Sequence, residues 1–579
     1  VNWFRSLFNK DTIREDTVAG VVLGVESIPD GLAGGLLAGV NPIYGLYAYM
    51  YGTFTGGLFT SSTFMAVQAT GAMAIVVADV GAVHGEGSEK ALFMLSILTG
   101  IVMLIAGLLK AGSILRFVSN AVMVGFINAV GINIILGQLD NFTGYESQGA
   151  NRVARAFNTL LNLGQAHWPT IGIGVLTIAL IVVLERTKLG PLGMVIAIVV
   201  GSGVAFFVAD VKILDSIADV PRALPMITLP DLASIPALII PAFSLAFIGL
   251  VQGAGISANF PKADGTYPDA SQDFVGQGAA NIVVGAFQGM PVGGSMSASS
   301  LVKNAGAKSR MALLIAAVVM GIGILAFGSV VGYIAMPALA GLLMLVGYGT
   351  VKLADITSVW KTGKVQAAVM SVTFILTMLI ALQYAVLVGI GISMILYIIK
   401  QSNQVVIKER IFDEDGNTRE VDAPDEVGQN EVIVLQPYGS LFFASAPVFE
   451  EQIPDVTENT KNSVVILRLR GRNDLGSTFM DVLQRYAETL RDADSKLMLV
   501  SASSTVHQQL AVTRVTSVVE TQNIYTSDEW VGKTLKTAHQ DALDWVERHR
   551  TDDSDTADAS EASDADSGSD ADDGESDAD

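Results

Sequence analysis

Residues 289–300 read Gly289-Met290-Pro291-Val292-Gly293-Gly294-Ser295-Met296-Ser297-Ala298-Ser299-Ser300. Proline and glycine at its start oppose a helix, and the small residues that follow permit one. The run is flanked by long apolar stretches, yet Ser295–Ala307 is too short to span a bilayer core, which takes about 20 residues per helix. A second run has the same character: Ser61-Ser62-Thr63-Phe64-Met65-Ala66-Val67-Gln68-Ala69-Thr70-Gly71-Ala72-Met73-Ala74, entering the short segment Val67–Val80. Short, Gly/Pro-interrupted segments at matching places in two halves of a chain point to a transporter binding site.

Working outward, twelve longer apolar segments surround this pair: Thr17–Gly39, Ile43–Phe59, Ala91–Leu109, Val118–Gln138, Pro169–Leu184, Gly190–Val208, Ile235–Ala258, Phe274–Gln288, Met311–Ile334, Ala338–Tyr348, Gln366–Leu382 and Tyr384–Ile399. With the short runs counted as segments 3 and 10, the total is 14 and each short run is third in a set of seven. Seven is odd, so the second set must be inverted. The predicted fold is an α-helical membrane protein with a 7+7 inverted repeat and two half-helices.

Charge supports this count. With the N-terminus inside, the inner loops hold 13 Lys/Arg (Arg5, Lys10, Arg14, Lys110, Arg116, Arg186, Lys188, Lys262, Lys308, Arg310, Lys352, Lys361, Lys364), and the outer loops hold five (Lys90, Arg152, Arg155, Lys212, Arg222). That asymmetry obeys the positive-inside rule. It predicts a multi-pass protein of the cell membrane with both termini cytoplasmic. The opening Val-Asn-Trp-Phe does not read as a signal peptide.

Composition divides the chain. It is 51% hydrophobic and 16% charged over 579 residues, against about 25% charged in soluble domains. Residues 1–400 hold 20 of the 35 Lys/Arg. Residues 551–579 hold 13 acids and no base, within a net charge of −21, and read as a disordered acidic tail. This acidity suggests a halophile. With no cysteine, disulfides and thiolate metal sites are excluded. The histidines His84, His167, His507, His539 and His549 lack ligand spacing, and no metal or cofactor is expected. The glycine-rich runs lie inside apolar helices, the wrong context for phosphate-binding loops, so neither an enzyme nor an ATP-driven pump is expected.

A helix that begins at mid-membrane presents unpaired N–H groups and a partial charge of about +0.5. Two such ends facing each other form an anion site without lysine or arginine. Thr70, Ser295, Ser297 and Ser299 would add hydroxyl donors. The small residues are equally able to serve tight helix packing alone.

The sequence around these runs resembles the sulfate permease (SulP) family of anion transporters. Ile28-Pro29-Asp30-Gly31-Leu32-Ala33 followed by Leu37-Ala38-Gly39-Val40-Asn41-Pro42-Ile43-Tyr44-Gly45-Leu46-Tyr47 is similar to its first-helix signature. Thr70-Gly71-Ala72-Met73-Ala74, Gly278-Ala279-Ala280-Asn281-Ile282 and residues 289–309 resemble its third, ninth and tenth helices. The resemblance implies a core domain (helices 1–4 and 8–11), a gate domain (5–7 and 12–14) and elevator-type alternating access. Substrate would lie between helices 3 and 10, near Asp30, Ala69, Thr70, Gly71, Gln252, Ser295, Ser297, Ala298 and Ser299. Three positions depart from the family pattern. Asp30 replaces a glutamine, Gln252 an acid and Ala298 an arginine, which leaves the substrate (sulfate, bicarbonate, chloride or a carboxylate) and the coupling ion (proton or sodium) open.

Intramembrane charges point to function. Glu26 and Asp30 share one helix face, and Lys303 follows in segment 10. These three are the coupling candidates. Asp30 and Lys303 are expected to approach each other, with Asp30 as a proton-coupling group. Alternatively, Glu26 meets water and Lys303 snorkels to the interface.

Beyond Lys400, Glu431–Leu435, Val464–Leu469 and Leu497–Val500 read as strands, and Phe479–Ala493 and Lys533–Arg548 as helices. This small α/β domain, 431–550 behind a linker at 401–430, resembles the STAS domain. Gly439-Ser440-Leu441-Phe442-Phe443-Ala444 resembles its early strand, and Arg472-Asn473-Asp474-Leu475-Gly476-Ser477-Thr478 its loop before a helix. Ser477 is a regulatory candidate; Ser477 or Thr478 as a plain helix N-cap is the other reading. The resemblance also implies a homodimer. The predicted function is secondary active transport of a small anion across the lipid bilayer, with no nucleic-acid partner. The alternatives are a nucleobase transporter of the same 7+7 architecture, an anion channel, or a sensor signalling through the soluble domain.

Overall fold

The computed structural model describes residues 12–565, except residues 86, 111–118, 188, 191, 217–222, 262–264, 403, 414–416, 472–474, 514 and 531. Of the charges counted above, Arg5, Lys10, Arg116, Lys188, Arg222 and Lys262 lie outside the described residues. The chain forms two compact units, Val1–Met394 and Ile395–Asp579.

In the first unit the elements are α1 (Ile13–Leu37), α2 (Pro42–Phe59), β1 (Ala66–Gln68), α3 (Gly71–Ala78), α4 (Glu89–Leu108), α5 (Asn120–Gly137), α6 (Leu139–Thr143), α7 (Arg152–Leu161), α8 (Trp168–Glu185) and α9 (Leu192–Ala205). They continue with α10 (Ile235–Asn259), α11 (Ala270–Ala286), β2 (Gly293–Ser295), α12 (Met296–Asn304), α13 (Met311–Val331), α14 (Met336–Thr350), α15 (Leu353–Thr362), α16 (Lys364–Leu379) and α17 (Leu382–Ser402). Each expected segment falls on one of these helices. Among the described residues, six helical stretches are long and apolar enough to cross a bilayer, and four shorter apolar helices accompany them. The short helices α7 and α15 are additional: their mixed polar and apolar faces carry no transmembrane signal.

Local chemistry sets the ends. Pro42 occupies the first turn of α2, where its missing N–H costs nothing, and the Asn41 side chain caps the turn by accepting from Ile43 N at 3.1 Å. Glycine sets the contact of α1 with α2. A Cβ on Gly45 would sit 2.1 Å from the Gly31 carbonyl oxygen, so these helices meet backbone to backbone. The signature glycines are contact points of the scaffold.

The second unit carries β3 (Val406–Phe412), β4 (Thr418–Asp422), β5 (Glu426–Gln429), β6 (Val432–Tyr438), α18 (Ala446–Glu450), β7 (Asp455–Lys461), β8 (Val464–Arg468), α19 (Ser477–Asp492), β9 (Lys496–Ala502), α20 (Ser504–Val512), α21 (Val515–Val519), β10 (Ile524–Thr526) and α22 (Lys533–Ala565). The main sheet has the order β10-β9-β8-β6-β3-β4, with β6, β8, β9 and β10 parallel and β3 antiparallel to both β6 and β4. Strand residues alternate between its faces. Ile433, Leu435, Val465, Leu467, Leu497 and Leu499 share a core with Phe479, Leu483, Ala487 and Leu490 of α19. Val434, Val464, Ile466, Met498 and Val500 share another with Leu535, Ala538, Ala542 and Val546 of α22.

Three expectations for this unit are corrected. Residues 401–430 are no linker, because β3, β4 and β5 lie there. β3 pairs along both edges and buries Ile407, but the run Lys408-Glu409-Arg410 masks its apolar alternation. Its charges are met across the hairpin, Lys408 by Asp422 and Arg410 by Glu420 at 2.6 Å. Residues 439–444 are not a strand: the strand ends at Tyr438, Gly439 turns the chain at φ +84°, and Phe443–Ser445 form a 3-10 turn. Finally, α22 runs to Ala565, past the expected start of a disordered tail at residue 551. Residues 566–579 lie outside the described residues.

Candidate functional site

The two small-residue runs meet as a pair of three-residue strands. β1 and β2 are antiparallel, with Ala66 opposite Ser295, Val67 opposite Gly294 and Gln68 opposite Gly293. Each strand passes directly into a short helix, β1 into α3 and β2 into α12. Because the strands are antiparallel, the helices leave in opposite directions and their N-termini face each other.

Both N-termini are capped by hydroxyls. Thr70 Oγ1 accepts from Met73 N, and Ser295 Oγ accepts from Ala298 N, each at 3.4 Å. Thr70 Oγ1 also donates to Gln252 Oε1 at 3.0 Å, which joins α3 to α10. Ser295 Oγ and Ser297 Oγ are 3.2 Å apart, and Ser297 is exposed. Ala69 and Ala298 are buried beside the two ends. The first-turn N–H groups, which no helix satisfies internally, are the donors this arrangement offers.

Ser299 differs from its expected role. Its buried hydroxyl donates to Ser295 O at 2.6 Å and accepts from Ala66 N at 3.0 Å. It therefore clamps the strand pair and is not presented to a ligand.

The strand pair is held from behind by residues whose roles the sequence reading missed. Asn281 Nδ2 donates to Val292 O at 2.7 Å and to Gln277 O at 2.9 Å, and Asn281 Oδ1 accepts from Val292 N at 2.9 Å. Gln277 Oε1 accepts from Gly294 N at 3.0 Å. A Cβ on Gly253 would meet Gln277 Nε2 at 2.1 Å, which is why α10 has glycine there. Gln68 Nε2 reaches Ser27 Oγ at 3.0 Å and Thr53 Oγ1 at 3.3 Å.

Two buried acids fix the flanking loops. Asp273 Oδ1 accepts from Ser61 N at 2.5 Å and Ser62 N at 3.0 Å, ahead of β1. Asp16 accepts from Lys308 N at 2.7 Å, Ser309 N at 2.9 Å and Ser309 Oγ at 2.6 Å, behind α12. The signal for Asn281 stood in the Gly-x-x-Asn-Ile motif. For Asp16 and Asp273 it was an acid at the start of an otherwise apolar helix.

Asp30, on α1, accepts from the Tyr49 hydroxyl at 2.8 Å, and the same hydroxyl lies 3.1 Å from Ala69 O. Glu26 sits one turn earlier on α1. The expected approach of Asp30 to Lys303 is not observed: no such pair occurs among the ion pairs of the described residues. Lys303 Nζ lies 4.8 Å from the Phe260 ring centroid and 5.9 Å from that of Phe64. A cation over aromatic faces is already accommodated without a carboxylate.

In the second unit Ser477 is the exposed first residue of α19, and its N-cap is Gly476. Neither Ser477 nor Thr478 is the cap. Residues 472–474 of the expected regulatory loop lie outside the described residues. Among the described residues no group of three His, Cys, Asp or Glu side chains is placed to hold a metal.

The chain matches the family described as the Sulfate permease family over residues 13–373, and the STAS domain over residues 423–530. The sulfate transporter 4.1, chloroplastic, of Arabidopsis thaliana is 22% identical over 579 residues, covering 95% of this chain and 83% of its own. The bicarbonate transporter BicA of Picosynechococcus is 24% identical over 515 residues, covering 86% and 90%. The murine Solute Carrier 26 family member A9 anion transporter, solved in an inward-facing state, superposes with a TM-score of 0.81 at 19% identity, covering 93% of each chain.

Proposed function

This chain belongs to the sulfate permease family, and on that premise we propose that it carries a small oxyanion, of the sulfate or bicarbonate class, across the membrane by secondary active transport. The observation that carries the reading is the pair of capped half-helices α3 and α12 facing each other across β1 and β2. Their N–H groups and dipoles attract a negative charge from two sides. Among the described residues no ion-paired lysine or arginine lies at the two helix starts, and an anion held by dipoles alone is released more readily than one held by a full opposing charge. Several N–H donors on opposite sides suit a ligand with several oxygens better than a nucleobase.

The anion lies between the first turns of α3 and α12, near Ala69, Thr70, Gly71, Gln252, Ser295, Ser297 and Ala298. Asp30 is the coupling group, taking up and releasing a proton as the anion moves. The chain crosses the bilayer 14 times with both termini cytoplasmic. The core (segments 1–4 and 8–11) moves as an elevator against the gate (segments 5–7 and 12–14), and the protein works as a homodimer. Ser477, exposed at a helix start, is open to modification.

Purified protein in proteoliposomes tests the reading. Uptake of labelled sulfate, bicarbonate, succinate and uracil is measured with and without proton and sodium gradients. Gradient-driven uptake of sulfate or bicarbonate is expected. Uptake of uracil alone, or of none of the four, contradicts the proposal.

A further inference from the structure

The Tyr49 hydroxyl sits between two acceptors, Asp30 Oδ2 at 2.8 Å and the Ala69 carbonyl oxygen at 3.1 Å. A phenol carries one proton and so donates to one acceptor at a time. Its ring cannot move to serve both. Tyr49 is 4% exposed, and a Cβ on Gly31 would touch its Cγ at 3.2 Å, so α1 packs against the ring face. Only the hydroxyl hydrogen is free to turn.

Counting protons gives two patterns. With Asp30 protonated, the carboxyl donates to the Tyr49 oxygen and Tyr49 donates to Ala69 O. Two protons then serve both contacts. With Asp30 ionised, Tyr49 turns to the carboxylate, because a charge-assisted hydrogen bond is roughly twice as strong as a neutral one. The Ala69 carbonyl then loses this donor. Ala69 directly precedes Thr70, the N-cap of α3. A change at Asp30 is thereby passed to the peptide that positions one of the two helix N-termini.

We propose that Tyr49 is a positioning residue that transmits the protonation state of Asp30 to the anion site at the start of α3. This rests on the reading of Asp30 as the proton-coupling group. Tyr49, from α2, is the titratable group in contact with Asp30, while Asp30 and Glu185 both act on Glu26, one turn earlier on α1. Lys303 is engaged with Phe260 and Phe64 instead.

The test uses the full chain in lipid nanodiscs. Sulfate affinity is measured by calorimetry at acid and alkaline pH, and the protonated-carboxyl C=O band is followed by infrared spectroscopy over the same range. In the wild type, sulfate affinity changes with pH, and the band titrates and disappears in Asp30→Asn. In Tyr49→Phe the band still titrates, but sulfate affinity is the same at both pH values. A merely structural role for Tyr49 would lower affinity equally at both and leave its pH dependence in place. That result overturns the proposal. The amide introduced by Asp30→Asn donates to Tyr49 as a protonated acid does, so this variant provides a second arm. It is expected to hold sulfate with the wild type's acid-pH affinity at every pH, and a pH-dependent Asp30→Asn overturns the proposal as well. A wild type with no Asp30-dependent band shows instead that the coupling reading itself has failed.

Discussion

Thr70 donates its hydroxyl to Gln252 Oε1 at 3.0 Å, and the same hydroxyl oxygen accepts from Met73 N. One side chain thus caps half-helix α3 and ties it to α10. Gln252 is a neutral acceptor, so it ties α10 to the start of α3 without adding a negative charge there.

Replacing Gln252 with leucine removes that acceptor and leaves the Thr70 hydroxyl without it. A hydrogen bond lost in a partly buried place costs about 1–3 kcal/mol. The expected outcome is a KM for the transported anion raised roughly tenfold with a smaller change in maximal rate. Initial-rate uptake in proteoliposomes reads both.

Asn281 is expected to be structural at a distance from the ligand. Three of its hydrogen bonds pin Val292 and Gln277 behind β2, and its Nδ2 also reaches Met103 Sδ at 3.4 Å. Asn281→Ala removes all three in a fully buried place and is expected to destabilise the membrane unit by about 2–4 kcal/mol. Thermal unfolding in detergent checks this. Asn281→Asp keeps the acceptor for Val292 N but turns a second acceptor oxygen toward the Val292 and Gln277 carbonyls in a buried place, and it is expected to destabilise at least as much as alanine.

Asp79, at the C-terminal end of α3, receives Arg152 NH2 at 2.8 Å through one oxygen and Leu382 N at 2.8 Å through the other. Both side chains are mostly buried, Arg152 13% and Asp79 16% exposed. Arg152→Leu leaves the carboxylate short of a partner and is expected to cost about 2–4 kcal/mol, after discounting the burial that remains incomplete. Adding Asp79→Asn is expected to recover part of that loss. A double-mutant cycle with no coupling energy contradicts the pairing.

Ser477 occupies the first turn of α19 behind a glycine N-cap with no side-chain hydrogen bond. A negative charge there meets the positive end of the helix. Ser477→Asp is expected to stabilise the second unit by about 0.3–1 kcal/mol, less at high salt. Chemical denaturation at two salt concentrations checks the sign.

Much of this architecture was legible because it is written locally. Pro291, Gly293 and Gly294 mark where an extended stretch begins, and the serines after them mark a helix start. Their echo at residues 61–74 marked the partner run, and the two pair as β1 and β2. The support of the site was illegible because it joins distant residues. Asp30 meets Tyr49 rather than Lys303, and nothing in helical spacing distinguishes those partners. Asp79 and Arg152 are brought together only by the packing of separate helices. Ser299 was expected to face the ligand because it is a hydroxyl near a helix start, but its bond to Ala66 N sets it against the strands. In the second unit β3 was hidden because the run Lys408-Glu409-Arg410 reads as polar, although Lys408 and Arg410 pair with Asp422 and Glu420 across a hairpin.

The central claim is that the anion is held at the facing N-termini of α3 and α12, and Thr70→Asp tests it most directly. Aspartate caps a helix as well as threonine does, so α3 is expected to stay intact, with stability within about 1 kcal/mol of wild type. Its carboxylate, however, places a negative charge where the anion binds. Like charges about 4 Å apart in a partly screened interior repel by about 4 kcal/mol. The account predicts folded protein whose sulfate or bicarbonate uptake in proteoliposomes falls at least about a hundredfold. Folded Thr70→Asp protein that takes up the anion at the wild-type rate would contradict it.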